Sequence, residues 1–154
     1  MKNKYYTPKL KEFRIGFEYQ GYDMLDNGKW DWINRTFEGQ EIRTYFTEEL
    51  EKGEVRVKYL DKEDIESLIF KEETIPNCFK EDSLNQGYVK HINEKESLLL
   101  HYNGETKKLF LSKQVVYNEV TDNWYTDFLF QGSIKNKSEF KVLLEQLNLL
   151  QDEG

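Results

Sequence analysis

The sequence predicts an α+β fold, in which a mostly antiparallel, twisted sheet of about seven or eight strands is covered by three helices. Two patterns support this class. Several short segments alternate apolar and polar residues, as half-buried strands do. Other segments repeat apolar residues at intervals of three and four, as amphipathic helices do. Turn signals such as Asn103-Gly104 favour hairpins between neighbouring strands.

The clearest alternation covers residues 12–20 and predicts the first strand. The apolar residues that this strand would place on one face are Phe13, Ile15, Phe17 and Tyr19. A turn around Asn27-Gly28 separates it from a second alternating segment, residues 30–37. We therefore expect an antiparallel hairpin.

The remaining elements follow from the same rules. Helices are predicted over about 40–52, 62–70 and 137–148, and further strands over 54–60, 88–93, 96–102, 105–113, 115–120 and 124–134. Asp61 offers an N-terminal cap to the second helix, and Leu144 belongs to the apolar stripe of the third. The turn-rich stretch 71–87 predicts an ordered connection, the one plausible subdivision of a single domain over residues 1–154.

Composition limits the core and the partners. Hydrophobic residues make up 38% of the 154 residues and charged residues 33%, so the core must draw on the ten Phe, ten Tyr and three Trp. The net charge of −7 disfavours binding to nucleic acid or anionic membranes through the overall field, and it favours a basic protein partner. Without a signal-like or membrane-spanning segment, we expect a cytoplasmic protein.

The sequence predicts neither a metal site nor a cofactor. His91, His101 and Cys78 cannot form a closed four-ligand zinc site without carboxylates, and their spacing matches no metal motif. Cys78 has no neighbouring base that would activate it as a nucleophile. The nine glycines form no phosphate-binding loop, which disfavours nucleotide-dependent catalysis.

Acidic residues on two predicted helices are candidate binding residues. They are Glu48, Glu49, Glu51, Glu63, Asp64 and Glu66. In a cleft they could serve metal or acid–base chemistry, but solvated helix faces account for the same residues. Their sharper use is as an acidic surface that competes for a basic groove.

Trp30 and Trp32 are the aromatic candidates for a binding surface. Exposed rings interleaved with cations could stack on single-stranded nucleic acid, and the cations would be Arg14, Arg35, Arg56 and Lys58. The alternative is that the rings build the core of a domain poor in aliphatic residues.

Three ordered segments carry a resemblance to a known family: residues 5–20 (YYTPKLKEFRIGFEYQ), 56–68 (RVKYLDKEDIESL) and 132–141 (GSIKNKSEFK). The chain resembles a group of small proteins encoded by bacteriophages and prophages. The resemblance transfers no catalytic residues. It implies a protein of the infected bacterial cytoplasm, in a group that includes inhibitors of bacterial defence such as anti-CRISPR proteins.

The favoured hypothesis is a small acidic binding protein without catalytic activity. Its partner would be a basic host protein or ribonucleoprotein, such as a CRISPR-Cas or other nucleic-acid-handling defence effector, whose basic channel attracts an acidic surface. A nucleic-acid-binding accessory protein is the first alternative. A carboxylate-dependent enzyme that uses Glu63 or Asp64 is the second. The sequence leaves the oligomeric state open.

Overall fold

The computed structural model describes residues 3–40, 44–76, 84–118 and 123–150. These residues form two antiparallel sheets, of four and five strands, and three α-helices, which confirms the predicted α+β class. The chain divides into two compact units. The first unit contains the residues up to Tyr59 together with Asn136–Gln146, and the second contains Leu60–Lys135 with Leu147–Leu149. The stretch 71–87, where the sequence hinted at a joint, lies inside the second unit.

The first unit is built on the four-stranded sheet. Its strands are β1 (Tyr5–Tyr6), β2 (Glu18–Met24), β3 (Trp30–Thr36) and β4 (Val55–Lys58), and its helices are α1 (Thr44–Glu51) and, after the second unit, α3 (Lys137–Gln146). The spatial order is β1-β4-β2-β3, and every neighbouring pair is antiparallel. The predicted hairpin of β2 and β3 is therefore confirmed.

One face of this sheet carries an aromatic core. Its buried residues are Phe17, Tyr19, Phe37, Phe46, Leu50, Val55 and Val57, with Tyr6 and Phe13 partly buried against them. Phe13 meets the ring of Phe46 edge-on, with 5.1 Å between the centroids, which is a favourable geometry for aromatic pairs. As expected from the composition, rings supply much of the apolar area of this core.

The predicted first strand is wrong over its first half. Residues 10–12 form a 3-10 turn, and β2 begins only at Glu18. The change of direction needs Gly16, whose φ of +85° is accessible without strain only to glycine. As a result Ile15, predicted to face the core, is 81% exposed, whereas Phe17 and Tyr19 are buried.

The second unit contains a short helix and a five-stranded meander. The helix is α2 (Lys62–Glu66), and the strands are β5 (Lys71–Pro76), β6 (Leu84–His91), β7 (Glu96–Asn103), β8 (Lys108–Asn118) and β9 (Asn123–Ser133). The strands lie in sequence order, each antiparallel to the next. The predicted connection over 71–87 is therefore corrected, because its described parts pair as β5 and β6. Cys78 and the rest of 77–83 lie outside the described residues.

Two turns of this unit differ in detail from the prediction. Asn103 does start the β7–β8 turn, but its side-chain oxygen accepts hydrogen bonds from the backbone N–H groups of Glu105 and Thr106, at 2.9 and 3.0 Å. The loop therefore has four residues rather than the two of a tight hairpin. Asp61 caps α2 as predicted, by accepting from the Asp64 N–H at 3.1 Å. The helix ends at Glu66, and Ile69, with a φ of +68°, cannot continue it.

Helix α3 is fixed to the start of the chain by a buried amide. Asn136, which is 1% exposed, accepts a hydrogen bond from the Glu139 N–H at 2.9 Å and so caps the helix. Its amide nitrogen donates to the Tyr6 hydroxyl at 2.9 Å, and this hydroxyl donates to Glu12 at 3.0 Å. The helix buries Phe140, Leu143 and Leu144, which confirms the predicted apolar stripe.

A charge at Leu144 should unfold the protein. This side chain is fully buried, so Leu144→Asp would place an unpaired carboxylate in the core and should lower the free energy of unfolding by more than about 4 kcal/mol. Gln146→Asp, at an exposed position of the same helix, is the control and should change it little. An unchanged melting temperature for Leu144→Asp would refute the assigned packing.

Removing the Tyr6 hydroxyl should destabilise the protein and change its response to alkali. Tyr6→Phe leaves the buried Asn136 amide without this acceptor, which should cost about 1–3 kcal/mol in urea unfolding at neutral pH. Burial raises the pKa of the Tyr6 phenol. Its contribution is therefore complete below the ordinary tyrosine value of about 10 and is lost as the pH rises through the raised value. Tyr6→Phe should lack that alkaline loss; a mutant with the wild-type stability and pH profile would contradict the network.

Candidate binding surface

The outer face of the four-stranded sheet carries a row of aromatic residues. We call Tyr5, Tyr22, Trp30, Trp32 and Arg56 the aromatic face. The strand register brings its members together, because Tyr22 lies opposite Trp32 and the next outward pair joins Trp30 to Met24. Alternation turns these side chains away from the core that buries Tyr19 and Val57. The predicted candidates Trp30 and Trp32 thus belong to one surface.

Arg56 lies at the centre of this surface. Its guanidinium carbon is 3.9 Å from the ring centroid of Tyr5 and 4.0 Å from that of Trp32, so the rings of these two residues enclose the cation. Its Nε donates to the Gln20 side-chain oxygen at 2.8 Å, and the Gln20 amide donates to Asn34 at 2.7 Å. These contacts fix the plane of the guanidinium group.

The ring contacts continue along the β2–β3 hairpin. Tyr22 lies 5.2 Å from Trp32 and 5.7 Å from Trp30 between ring centroids, and the planes of Tyr22 and Trp30 are 27° apart. Trp30 is 58% exposed, Met24 58% and Tyr22 41%. The face therefore presents a large apolar area to solvent, held in place by its own contacts.

The partners of Arg56 distinguish it from other cations of the protein. Arg35 pairs with Asp23, Lys141 with Glu18 and Lys113 with Glu96. Arg56 instead bonds to a neutral amide, and within the described part of the chain no carboxylate forms an ion pair with it. Its terminal N–H groups can therefore bind an anionic group of a ligand.

The four predicted cations do not share one surface. Arg56 and Lys58 lie on the outer side of β4, because Val55 and Val57 occupy its inner side. Arg35 lies opposite Tyr19, on the core side of the sheet, and Arg14 donates to the Ser138 carbonyl at 2.8 Å.

The predicted acidic residues lie in both units. Helix α1 of the first unit carries Glu48, Glu49 and Glu51, and helix α2 of the second carries Glu63, Asp64 and Glu66. Glu48, Glu51, Glu63 and Glu66 are exposed, whereas Glu49 and Asp64 are half-buried. In the part of the chain that the structure describes, no group of three or more His, Cys, Asp or Glu side chains is placed to hold a metal ion.

The two histidines occupy separate surroundings in the second unit. His91 shares a hydrogen bond of 2.8 Å with the Ser97 hydroxyl, and its Nε2 is 3.9 Å from Glu73. His101 lines an open depression of about 530 Å³ at the β7–β8 turn, together with Phe110 and Gln131.

The pKa shifts of the second unit have local causes. Burial raises the pKa of Tyr88, and the hydrogen bond to Glu72 raises that of Lys62. Hydrogen bonds from Lys113 and Asn93 lower the pKa of Glu96.

Among the described helices, none is both long and apolar enough to span a membrane.

Comparison with protein-family models, with curated proteins and with solved structures returned no match to the chain. The resemblance to phage proteins therefore stays a prediction.

Sequence reasoning named Trp30 and Trp32 as candidates but missed the arrangement around Arg56. Tyr5, Arg56 and Trp32 come from three strands, and only the order β1-β4-β2-β3 brings them together. A usable signal was the outward parity of Arg56 within the alternating segment 54–60. That signal required knowing that β4 pairs with β2.

The cation–π contact should appear as a coupling energy. In a double-mutant cycle of Arg56→Met and Trp32→Leu, we expect about 0.5–1 kcal/mol of coupling in urea unfolding. Lys141→Met, a helix α3 residue paired with Glu18, is the control and should show almost none with Trp32→Leu. Equal coupling in both cycles would contradict the arrangement.

Proposed function

We propose that the protein is a non-catalytic binding protein whose aromatic face recognises a macromolecular partner. The observation that carries this proposal is the guanidinium of Arg56, enclosed by Tyr5 and Trp32 on an exposed sheet face and bonded to no carboxylate of the described chain. Ordered rings around an open cation are suited to binding, because their conformational entropy is already reduced before a partner arrives.

The composition of the face supports a protein partner. Trp, Tyr and Arg are the residues that most often dominate the energy of protein interfaces. Trp30 supplies the largest exposed ring, Met24 an adaptable apolar neighbour, and Arg56 a fork that fits a carboxylate of the partner. The net charge of −7 also favours a protein partner over a nucleic acid, since a negatively charged protein repels a long phosphate backbone.

The biological setting of this proposal comes from the phage-like segments of the sequence. A host protein or ribonucleoprotein of bacterial defence is the partner that they suggest. The exposed carboxylates of α1 and α2, which include Glu48 and Glu63, would add attraction to a basic effector, mainly by accelerating encounter. In this proposal the aromatic face provides the specific contacts.

Single-stranded nucleic acid is the second candidate for the same face. Exposed rings stack on bases, and Arg56 could bind a phosphate group. This candidate requires salt-dependent binding to an oligonucleotide.

Capture from lysate of a bacterial host tests the proposal. Immobilised wild-type protein and Trp30→Ala are compared by quantitative mass spectrometry, with Ile15→Ala as the control because Ile15 is 81% exposed but lies outside the aromatic face. A partner of this face should be retained by the wild type and the control. Trp30→Ala should weaken the affinity for this partner by about thirtyfold, which corresponds to a hot-spot loss of about 2 kcal/mol in binding free energy.

Identical capture by all three proteins would refute the aromatic face as the recognition surface. The same three proteins are then titrated with labelled single-stranded DNA and RNA at low salt. Binding that only Trp30→Ala loses would move the assignment from a protein to a nucleic acid.

A further inference from the structure

Strand β9 ends the five-stranded sheet with an open apolar edge. It pairs with β8 on one side, and it is the last strand in the order β5-β6-β7-β8-β9. Five consecutive residues, Trp124 to Phe128, are exposed although they belong to a strand. Since successive side chains point to opposite faces, both faces of β9 are open here. Trp124 is 49% exposed, Tyr125 46% and Phe128 56%.

The opposite edge of the same sheet has different chemistry. β5 has the sequence KEETIP, with three charged residues in succession and a proline, the features by which proteins prevent edge-to-edge pairing. β9 has the sequence NWYTDFLFQGS, in which Asp127 is the one charged residue. Within the described residues, Trp124–Phe128 contain no proline and one charge, and the register shifts between β8 and β9 lie on either side of this stretch, so its backbone groups can pair with a further strand.

We propose that β9 pairs antiparallel with β9 of a second copy of this chain, around a two-fold axis at Thr126. A copy of the same strand is the partner that the sequence fits. With Thr126 opposite its own copy, Trp124 lies opposite Phe128 of the partner, and Phe128 opposite its Trp124. On the other face Tyr125 lies opposite Asp127, where the phenol can donate to the carboxylate.

This register uses the pairs that stabilise sheets. Aromatic cross-strand pairs and Thr–Thr pairs each contribute roughly 0.2–1 kcal/mol. The two-fold axis forms the Trp124–Phe128 and Tyr125–Asp127 pairs twice and the Thr126–Thr126 pair once, as in an isologous dimer, and it places no like charges directly opposite one another.

The neighbouring strand β8 already orders the rings for this contact. Phe110 meets Phe128 at 4.7 Å between centroids and an angle of 68°, and Tyr117 lies 6.2 Å from Tyr125. Pairing would join two five-stranded sheets into one of ten strands. The proposal uses residues of the second unit and is independent of the aromatic face of the first unit.

Opposite charges at the two-fold axis test the pairing. In size-exclusion chromatography with light scattering, the wild type should have twice the 18.6 kDa mass of one chain. Thr126→Glu and Thr126→Lys each place like charges opposite one another, and each should elute at the mass of one chain with an unchanged circular dichroism spectrum. An equimolar mixture of the two should regain the doubled mass. Thr36→Glu, at an exposed position of β3, is the control and should remain paired.

A cysteine at position 126 tests the register directly. Residues directly opposite in an antiparallel pair have Cα atoms about 4.5–5.5 Å apart, which a disulfide can bridge. In a Cys78→Ser background, Thr126→Cys should therefore form a covalent dimer under mild oxidation, and Thr36→Cys should not. A wild type with the mass of one chain, a mixture that stays unpaired, or equal cross-linking at both positions would overturn the proposal.

Discussion

The side chain of Asn136 joins the two sequence segments of the first unit, and the geometry of that unit depends on it. Its oxygen caps helix α3, while its nitrogen bonds to the Tyr6 hydroxyl, which in turn holds Glu12. A buried amide that lost either partner would carry the full cost of its desolvation. Helix α3 must therefore begin directly after Asn136, and strand β1 must lie where the Tyr6 hydroxyl can reach the Asn136 amide. Because β1 contributes Tyr5 to the aromatic face, the same polar contact helps to place one of the two rings that enclose Arg56.

The aromatic face follows from packing that covers one side of the sheet. The inner side chains of β2 and β4 enter a core of closely packed rings, and alternation directs the intervening residues outward. An outward-facing cation that is surrounded by solvent would gain little stabilisation from contacts with neighbouring side chains. Arg56 is instead enclosed by Tyr5 and Trp32 and aligned by Gln20. The sheet thus holds an apolar surface with a positive centre in a fixed arrangement, in a protein whose overall charge is negative.

Local patterns predicted the fold class, the β2–β3 hairpin, the Asp61 cap and the apolar stripe of α3, because periodicity and capping act over a few residues. They failed where one residue changed the chain direction. Gly16 interrupts a clean alternation and leaves Ile15 facing solvent, and α2 ends at Glu66, before the positive φ of Ile69. The strand at residues 71–76 shows no alternating apolar pattern because three of its residues are charged, although such charges suit an edge strand. The arrangement of Tyr5 and Trp32 around Arg56 could not be predicted in full, because it depends on a strand order that no local pattern contains.

The first unit is discontinuous in sequence, since Leu60–Lys135 of the second unit lie between Tyr59 and Asn136. This has a consequence for the order of events during synthesis on the ribosome. Strands β1 to β4 leave the exit tunnel well before helix α3 is translated, and until then Tyr6 has no Asn136 to receive a hydrogen bond from. The meander of the second unit, whose strands are all sequential neighbours, can form hairpin by hairpin during that interval. The nascent chain should therefore complete its middle first and close its N-terminal half last.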